Sequence, residues 1–215
     1  MSKFYTQDLF DKNNHDKLGI HVEKMPENLF SYLKDNINTK SFVPHNSSLA
    51  GNIKEEYNIY NLLTSELHNY LVRLTFKPVF EGALQEYQIL TSDRGFVVNS
   101  LWVNYMKKYE FNPIHYHDGL FSWVIVVKIP YDYEKELELA PGKNANQNVT
   151  SCLSFHTTHV LGGIQSCHFA LKKEHEGQII FFPSRMRHSV YPFYTSDDYR
   201  ITISGNIYLD PDRKA

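Results

Sequence analysis

The second half of the chain is dominated by short runs of branched and aromatic residues, and these runs constrain the fold more than any other feature. They are GFVVNSLWVNYM from residue 95, FSWVIVVKIPY from 121, SCLSFHTTHV from 151, GQIIFFPS from 177 and YRITISGNIYL from 199. This composition is typical of β-strands. Turn-forming residues separate the runs at Asp118-Gly119, Pro141-Gly142 and Gly162-Gly163, and the polar stretch 140–149 predicts a loop. Short strands at irregular intervals favour an antiparallel sandwich over a parallel sheet.

The first hundred residues have a different pattern of hydrophobic residues, which predicts helices. In MPENLFSYLKDNI (25–37) the residues Leu29, Leu33 and Ile37 recur every four positions and would share one helix face. A second helix is predicted to cover 55–76, where leucines and a tyrosine form a similar stripe. We therefore predict one domain over 1–215, with a helical support over about 1–94 and a β core over about 95–210.

Composition excludes several classes of protein. Hydrophobic residues make up 42 % of the 215, enough for a core, and 22 Lys plus Arg nearly balance 24 Asp plus Glu. No nucleic-acid partner is predicted, because phosphate binding needs a clustered positive surface. No apolar segment approaches the roughly 20 residues that span a bilayer, and the opening residues lack the apolar middle of a signal peptide. Two cysteines, Cys152 and Cys167, fit a reducing compartment. We expect a cytoplasmic protein with no membrane partner.

The stretch NPIHYHDGLFSW places two histidines one residue apart, at His115 and His117. In an extended strand, side chains two positions apart point to the same face, so both rings could converge on one ion while Tyr116 points away. His188, at the start of another extended stretch, is the candidate for a third ligand. The spacing therefore predicts a three-histidine metal site.

A candidate anion site follows twelve residues after His188. Strand alternation in YRITISGNIYL puts Arg200, Thr202 and Ser204 on one face and isoleucines on the other. An inward arginine needs an anionic partner, because an unpaired buried guanidinium costs several kcal/mol. A small dicarboxylate would supply that partner.

The order His-x-His, distal His, then Arg-x-Thr resembles the oxygenases that depend on iron(II) and 2-oxoglutarate. More closely, NPIHYHDGLFSWVIVVKIP, GQIIFFPSRMRHSVYPF and YRITISGNI resemble a prolyl-hydroxylase-like branch of that superfamily, of the phage-encoded type. The resemblance covers about residues 95–208, with a fainter likeness in SLAGNIKEEY (48–57). It implies a mainly β fold with a helical flank, a double-stranded β-helix (jelly roll, cupin-like). It also implies Fe(II), 2-oxoglutarate and dioxygen, with hydroxylation of a substrate C–H bond and release of succinate and carbon dioxide. The cell would be a bacterium or a phage-infected host.

The resemblance assigns roles position by position. His115 matches the first iron ligand, His188 the distal ligand, Arg200 the partner of the far carboxylate of 2-oxoglutarate, and Thr202 the hydroxyl that assists it. His117 falls where most of the superfamily has Asp or Glu. A neutral imidazole there would leave the iron site one unit more positive.

Asp118 is an alternative to His117 that would restore a carboxylate ligand. Gly119 argues against it, because a turn at Asp118-Gly119 would direct the aspartate out of the strand. We favour His115, His117 and His188, with Asp118 as the alternative to His117.

Further residues are candidates for the cosubstrate pocket. Asn104 would line it, Ser122 could donate a hydrogen bond to the cosubstrate or to the backbone, and Asn206 shares the inward face of its strand. Trp102 and Tyr105 are predicted core residues. Four other histidines are given no metal role: His156 and His159 would lie on opposite faces of a strand, and His168 and His175 are predicted to be solvated.

Two other functions are compatible with these residues. A three-histidine cupin-type dioxygenase would use the same ligands without 2-oxoglutarate, but it would have no need for Arg200. A jelly-roll binding or structural module would carry the histidines incidentally. The predicted partner is a small-molecule or peptidyl substrate, and a homodimer through the helical flank is possible.

Overall fold

The computed structural model of the protein describes residues 18–37, 42–48, 50–86, 94–139, 143–158 and 161–214. The predicted turn at Pro141-Gly142 and the residue His159 lie outside these ranges. Residues 143–149 contain turns and bends without a strand or helix, in agreement with the predicted loop.

Strands make up most of the regular structure. In chain order they are β1 His21–Lys24, β2 Val43–Pro44, β3 Glu55–Asn58, β4 Arg94–Met106, β5 Asn112–His115, β6 Phe121–Lys128, β7 Cys152–Thr158, β8 Ile164–Ala170, β9 Gln178–Pro183, β10 Arg187–Val190 and β11 Arg200–Lys214. The α-helices are α1 Glu27–Asn36, α2 Ser65–Leu74, α3 Glu81–Glu86 and α4 Tyr133–Leu137. Short 3₁₀ turns cover Asn46–Ser48, Tyr60–Leu62, Pro78–Phe80 and Lys173–His175.

The strands form two antiparallel sheets. The larger has seven strands in the order β1-β9-β6-β11-β4-β3-β2, and the smaller has four in the order β5-β10-β7-β8. Strands adjacent in each sheet are mostly distant in sequence, which is the pattern of a sandwich whose chain crosses between sheets. The predicted antiparallel sandwich is confirmed.

Two hydrophobic layers hold the sandwich and its helices together. On β6, Trp123 and Ile125 belong to the cluster that packs against α1 and α2. Their neighbours Val124 and Val126 belong to a second cluster, which the smaller sheet completes with Phe155 on β7. Because successive side chains of a strand point to opposite faces, β6 is buried on both sides and reads as a continuous apolar run.

The helical flank is less helical than predicted. The predicted helix over 25–37 corresponds to α1, and its leucine stripe is buried. The second predicted helix begins only at Ser65, where the Thr64 side chain accepts a hydrogen bond from the Leu67 backbone N–H at 3.2 Å. Glu55–Asn58 is instead strand β3, which pairs with β4 and extends the larger sheet. The prediction of a helix from residue 55 was wrong because cross-strand pairing there outweighs the local pattern.

None of the helices in the described ranges has the length and apolar character needed to cross a membrane.

Candidate active site

Strand pairing brings the three predicted metal ligands together. In the smaller sheet, His188 on β10 lies directly opposite His115 at the end of β5. His117 lies two residues beyond β5, and its backbone N–H donates to the Ser184 carbonyl at 2.9 Å. Gly119 then turns the chain into β6 with a φ of +89°, a conformation that glycine adopts easily.

The three imidazole rings face one another at short range. The Nε2 atoms of His115 and His117 are 3.2 Å apart, and the His188 ring centroid lies 4.2 Å from that of His115 and 4.8 Å from that of His117. Candidate ligand nitrogens of all three lie within 4.8 Å of one another. Two nitrogens bound at right angles to one metal, each about 2.1 Å from it, are about 3 Å apart. The spacing of His115 and His117 therefore suits a shared ion.

Hydrogen bonds on the other ring nitrogen fix the tautomer of each histidine. Nδ1 of His115 lies 2.7 Å from the Pro113 carbonyl, and Nδ1 of His188 lies 3.0 Å from the Met186 carbonyl. A carbonyl oxygen can only accept, so each Nδ1 carries the proton and each Nε2 keeps its lone pair. Facing lone pairs repel unless a cation lies between them, which is the strongest indication that the site binds a metal.

His117 is held by two side chains behind it. Its Nδ1 lies 2.6 Å from the Ser122 hydroxyl and 3.1 Å from the Asn206 side-chain oxygen, while the Ser122 hydroxyl donates to the Gly205 carbonyl at 2.9 Å. The Nδ1–H therefore donates and Nε2 faces His115. Ser122 is fully buried behind His117 and does not reach the cavity wall, whereas Asn206 does. A direct contact of Ser122 with the cosubstrate stays a prediction.

Burial keeps all three rings neutral. It lowers the pKa of His117 to about 4, with a further contribution from His115, and it lowers the pKa of His115. His188 is 2 % exposed, and burial holds its pKa well below the ordinary value. At neutral pH each ring is a neutral imidazole with a proton on Nδ1 only, the form that binds metals.

Asp118, the alternative ligand, lies outside the histidine cluster. Its side chain is 78 % exposed, and its Oδ1 lies 3.9 Å from Arg185 at the surface. The geometry supports His117 over Asp118 as a member of the cluster, although Asp118 also lines the cavity.

Arg200 is buried without a charged partner. The residue is 1 % exposed, and its guanidinium donates to the carbonyls of Ser151 and Tyr191, each at 3.1 Å, and to the Tyr131 hydroxyl at 3.4 Å. Within the described part of the chain, no carboxylate forms an ion pair with it. Arg200 lines the same cavity as the histidines, so an anion bound there could supply the missing charge.

The inward face of the larger sheet carries a row of polar residues beside Arg200. Thr202 on β11 lies opposite Asn104 on β4, which lies opposite Glu56 on β3. The Asn104 amide donates to the Thr202 hydroxyl at 3.2 Å, while its own oxygen is buried without a partner among the described residues. An unpaired buried oxygen at a cavity wall indicates room for a hydrogen-bond donor.

The histidines without a metal role differ from prediction in one respect. His168 and His175 were predicted to be solvated, but both are buried. Nδ1 of His168 lies 2.7 Å from the Ser154 hydroxyl, and Nδ1 of His175 accepts from the Lys172 backbone N–H at 3.0 Å. These local partners explain how two polar rings are accommodated inside.

The cavity has a volume of about 420 Å³, within the usual range for ligand sites. Sequence reasoning missed several residues that shape it. His45, Gly51, Glu56 and Asn112 line one end, and Trp102, predicted only as core, forms a wall. The sequence pattern around these residues was weak, because all of them except Trp102 lie in the predicted helical support or at the end of a strand. Only the faint likeness in SLAGNIKEEY pointed to Gly51 and Glu56.

Comparison with known proteins agrees with this geometry. The family model of putative 2OG-Fe(II) oxygenases matches residues 100–206. The crystal structure of a prolyl-4-hydroxylase from Pseudomonas putida is 12 % identical, with a TM-score of 0.52 and coverage of 91 % of this chain and 95 % of that one. At this identity the likeness shows a shared fold, and it confirms the predicted jelly roll.

Two other solved structures are similar at a lower level. A prolyl 4-hydroxylase structure from Phytophthora capsici is 14 % identical over 92 % of this chain and 60 % of that one, with a TM-score of 0.45. AviO1 from Streptomyces viridochromogenes Tue57 is 11 % identical over 97 % and 99 %, with a TM-score of 0.45. No curated protein gives a significant sequence match. The matched segment carries the three histidines and Arg200, and the chain belongs to the 2OG-Fe(II) oxygenases, oxidoreductases that use Fe(II), 2-oxoglutarate and dioxygen.

Proposed function

We propose that the protein hydroxylates a C–H bond of a small-molecule or peptidyl substrate. One atom of dioxygen enters the substrate as a hydroxyl group and the other enters succinate, while 2-oxoglutarate loses carbon dioxide. The observation that carries the proposal is the pairing of three converging Nε2 lone pairs with an uncompensated guanidinium in one cavity.

His115, His117 and His188 would hold the iron through Nε2. Bound iron supplies the reaction of dioxygen with 2-oxoglutarate. Ser122 and Asn206 would keep the Nδ1 proton of His117 in place, so that its Nε2 lone pair stays directed at the metal. His117 stands where the sequence resemblance implies a carboxylate, so the site carries one more positive charge before the cosubstrate binds.

Arg200 would bind the far carboxylate of 2-oxoglutarate in a charge-assisted pair. Its position is fixed by the carbonyls of Ser151 and Tyr191, so the guanidinium meets the ligand with little loss of conformational freedom. Thr202 would add a hydrogen bond from the next inward position, and Asn104 would orient the Thr202 hydroxyl.

The cavity lining is mixed, with apolar side chains between these polar groups. They include Ile53, Met106, Val124, Leu153, Leu171 and Val190. Such side chains lower the local polarity and strengthen electrostatic contacts within the cavity.

The two alternative functions are less well supported. A cupin-type dioxygenase without 2-oxoglutarate gives no reason for Arg200, and a binding or structural module gives no reason for facing histidine lone pairs. We further propose that neither nucleic acid nor membrane is a partner. A homodimer, a cytoplasmic location and a phage origin stay predictions.

Succinate formation tests the proposal. Protein purified without oxygen is mixed with Fe(II), ascorbate and 2-oxoglutarate, then exposed to air, and succinate is measured with and without candidate substrates. We expect slow succinate formation by the unmodified protein, its loss in His188→Ala, and a marked reduction in Arg200→Ala. Calorimetric titration of Mn(II), the divalent ion next to Fe(II) in the affinity order, provides a readout independent of turnover.

His68→Ala is the matched control, because His68 lies on α2 outside the cavity lining. It should bind metal and form succinate as the unmodified protein does. Turnover that ignores 2-oxoglutarate would favour the cupin-type alternative, and absence of metal binding would favour the binding module.

A further inference from the structure

One end of the cavity contains a buried carboxyl group that the proposed chemistry does not use. Glu56 lies on β3, opposite Asn104, so that Glu56, Asn104 and Thr202 occupy one row across three neighbouring strands. Neighbouring strands are about 4.8 Å apart, which places the backbone of Glu56 about 10 Å from that of Thr202. Glu56 therefore lies at the opposite end of the row from the predicted 2-oxoglutarate site.

The Glu56 carboxyl group lacks the partners that burial normally requires. The residue is 0 % exposed, and Oε1 has no hydrogen-bond partner among the described residues. Oε2 accepts only a long bond of 3.4 Å from the Asn46 amide. Leaving a charged oxygen unsatisfied is costly, so native proteins rarely retain one without a ligand or a function.

A second unpaired oxygen lies beside the first. The side-chain oxygen of Asn112 is also buried without a partner. A Cβ atom on Gly51 would lie 2.0 Å from this oxygen and 3.2 Å from Oε1 of Glu56. Both oxygens therefore face the space that Gly51 leaves open, and a larger residue there would displace them.

The charges and rings around these oxygens suit a cation. No lysine or arginine in the described ranges forms an ion pair with Glu56. Burial raises the pKa of Glu56 to about 7, and the nearby negative charge of Glu110 contributes to this rise. His45 and Trp102 line the same end with ring centroids 5.9 Å apart, and burial lowers the pKa of His45, which keeps that ring neutral. Aromatic faces attract cations and repel anions.

We propose that Glu56, Asn112, His45 and Trp102 form a subsite for a positively charged hydrogen-bond donor of the substrate, an ammonium or guanidinium group. The inference rests on the proposed function, because it names the class of substrate that would be oxidised at the iron. The Trp102 ring lies beside His45 and also beside His117, with 5.4 Å between the Trp102 and His117 ring centroids. Trp102 therefore connects this subsite with the metal site. The cationic group and the oxidised C–H bond would accordingly lie in one small amine or one basic side chain.

Binding of simple probes tests the subsite. Protein loaded with Mn(II) and 2-oxoglutarate is titrated by calorimetry with n-butylammonium chloride, n-butylguanidinium chloride, neutral 1-pentanol and sodium butyrate. We expect saturable 1:1 binding of one or both cations, and no saturation by the alcohol or the anion at the same concentrations. Equal binding of the neutral or anionic probe, or no saturable binding of either cation, would overturn the proposal.

Three variants locate the binding. Glu56→Gln keeps the shape of the side chain and should weaken cation binding about tenfold or more, the usual loss for a charge-assisted hydrogen bond. Gly51→Ala places a methyl group where the Asn112 oxygen lies and should also weaken cation binding. Glu55→Gln is the matched control, because Glu55 is the neighbouring residue on β3 but contacts Tyr199 away from the cavity. Cation affinity within twofold of the unmodified protein in Glu56→Gln would refute the assignment.

The subsite and the proposed function fail in different ways. Cation binding that depends on Glu56, in a protein that never forms succinate, would leave the subsite intact and refute the oxygenase reaction. Succinate formation that depends on His188 and Arg200, without Glu56-dependent cation binding, would support the oxygenase reaction and refute the subsite.

Discussion

Replacing Arg200 with methionine should have little effect on the stability of the unliganded protein and a large effect on its response to 2-oxoglutarate. The guanidinium is buried, and the charge has no carboxylate partner in the described part of the chain. Removing it costs about 1–3 kcal/mol for carbonyls left without donors, but relieves an uncompensated charge that itself costs several kcal/mol. The two effects oppose each other, so we expect a net change within about 1–2 kcal/mol.

The ligand response can be estimated from linkage. At a 2-oxoglutarate concentration of 100 Kd, the unmodified protein gains about 2.7 kcal/mol, which corresponds to about 5–10 °C in Tm for a chain of this size. Loss of the charge-assisted pair in Arg200→Met should weaken binding about a hundredfold. At the same concentration the variant would then gain only about 0.4 kcal/mol, or about 1 °C.

Thermal unfolding with Mn(II), with and without 2-oxoglutarate, measures both quantities. Arg73→Met is the matched control, because Arg73 lies on α2 and stacks on Tyr70, away from the cavity. It should keep the full ligand-induced shift. An Arg200→Met protein that loses more than about 3 kcal/mol without ligand, yet keeps the full shift with 2-oxoglutarate, would show that Arg200 is structural and refute the reasoning.

Three further predictions concern the metal site, the buried carboxyl group and the core. His117→Ala should weaken Mn(II) or Fe(II) binding about a hundredfold or more by calorimetry, while His117→Asp should retain binding. Asp118→Ala should leave the metal affinity within about twofold. Loss of metal binding in Asp118→Ala but not in His117→Ala would assign the ligand to Asp118. Because the pKa of Glu56 is about 7 when folded and near 4.5 when unfolded, the folded state holds the extra proton between these values and the protein loses stability as pH rises through that window. Glu56→Gln removes this loss, so the free energy of unfolding of the variant minus that of the unmodified protein should rise by about 1–2 kcal/mol from pH 5 to pH 8 in urea titrations. This expected rise is smaller than the full pKa shift would give, because water in the cavity screens the charge. A difference that stays constant with pH would contradict the raised pKa. Gly205→Ala places a Cβ atom 2.3 Å from the Trp123 ring and should destabilise the protein by about 2–4 kcal/mol, whereas an unchanged urea midpoint would mean that the strands can separate there.

The β core was predictable because its signal is local. Each long strand carries its own run of branched and aromatic residues, and burial of β6 on both faces explains why FSWVIVVK shows no alternation. The inward placement of Arg200 followed from alternation on β11 alone, and the structure agrees with it. Such features depend on one segment of chain.

Several features that depend on pairing between distant segments were not predicted. Residues 55–58 lie in a helix-like pattern but pair with β4, and this pairing places Glu56 opposite Asn104 at the cavity. His168 and His175 look like surface residues in sequence, and their burial depends on the contacts of β7 with β8 and on a local 3₁₀ turn. The hydrogen bonds that fix the tautomer of His117 come from residues 5 and 89 positions away.

The metal site is tested most directly by a crystal structure of the protein grown without oxygen in the presence of Fe(II) and 2-oxoglutarate, with anomalous data at the iron edge. We predict one iron peak within bonding distance of Nε2 of His115, His117 and His188, and a carboxylate of 2-oxoglutarate paired with Arg200. An iron bound by Asp118 with His117 turned away, or a 2-oxoglutarate carboxylate remote from Arg200, would contradict the account.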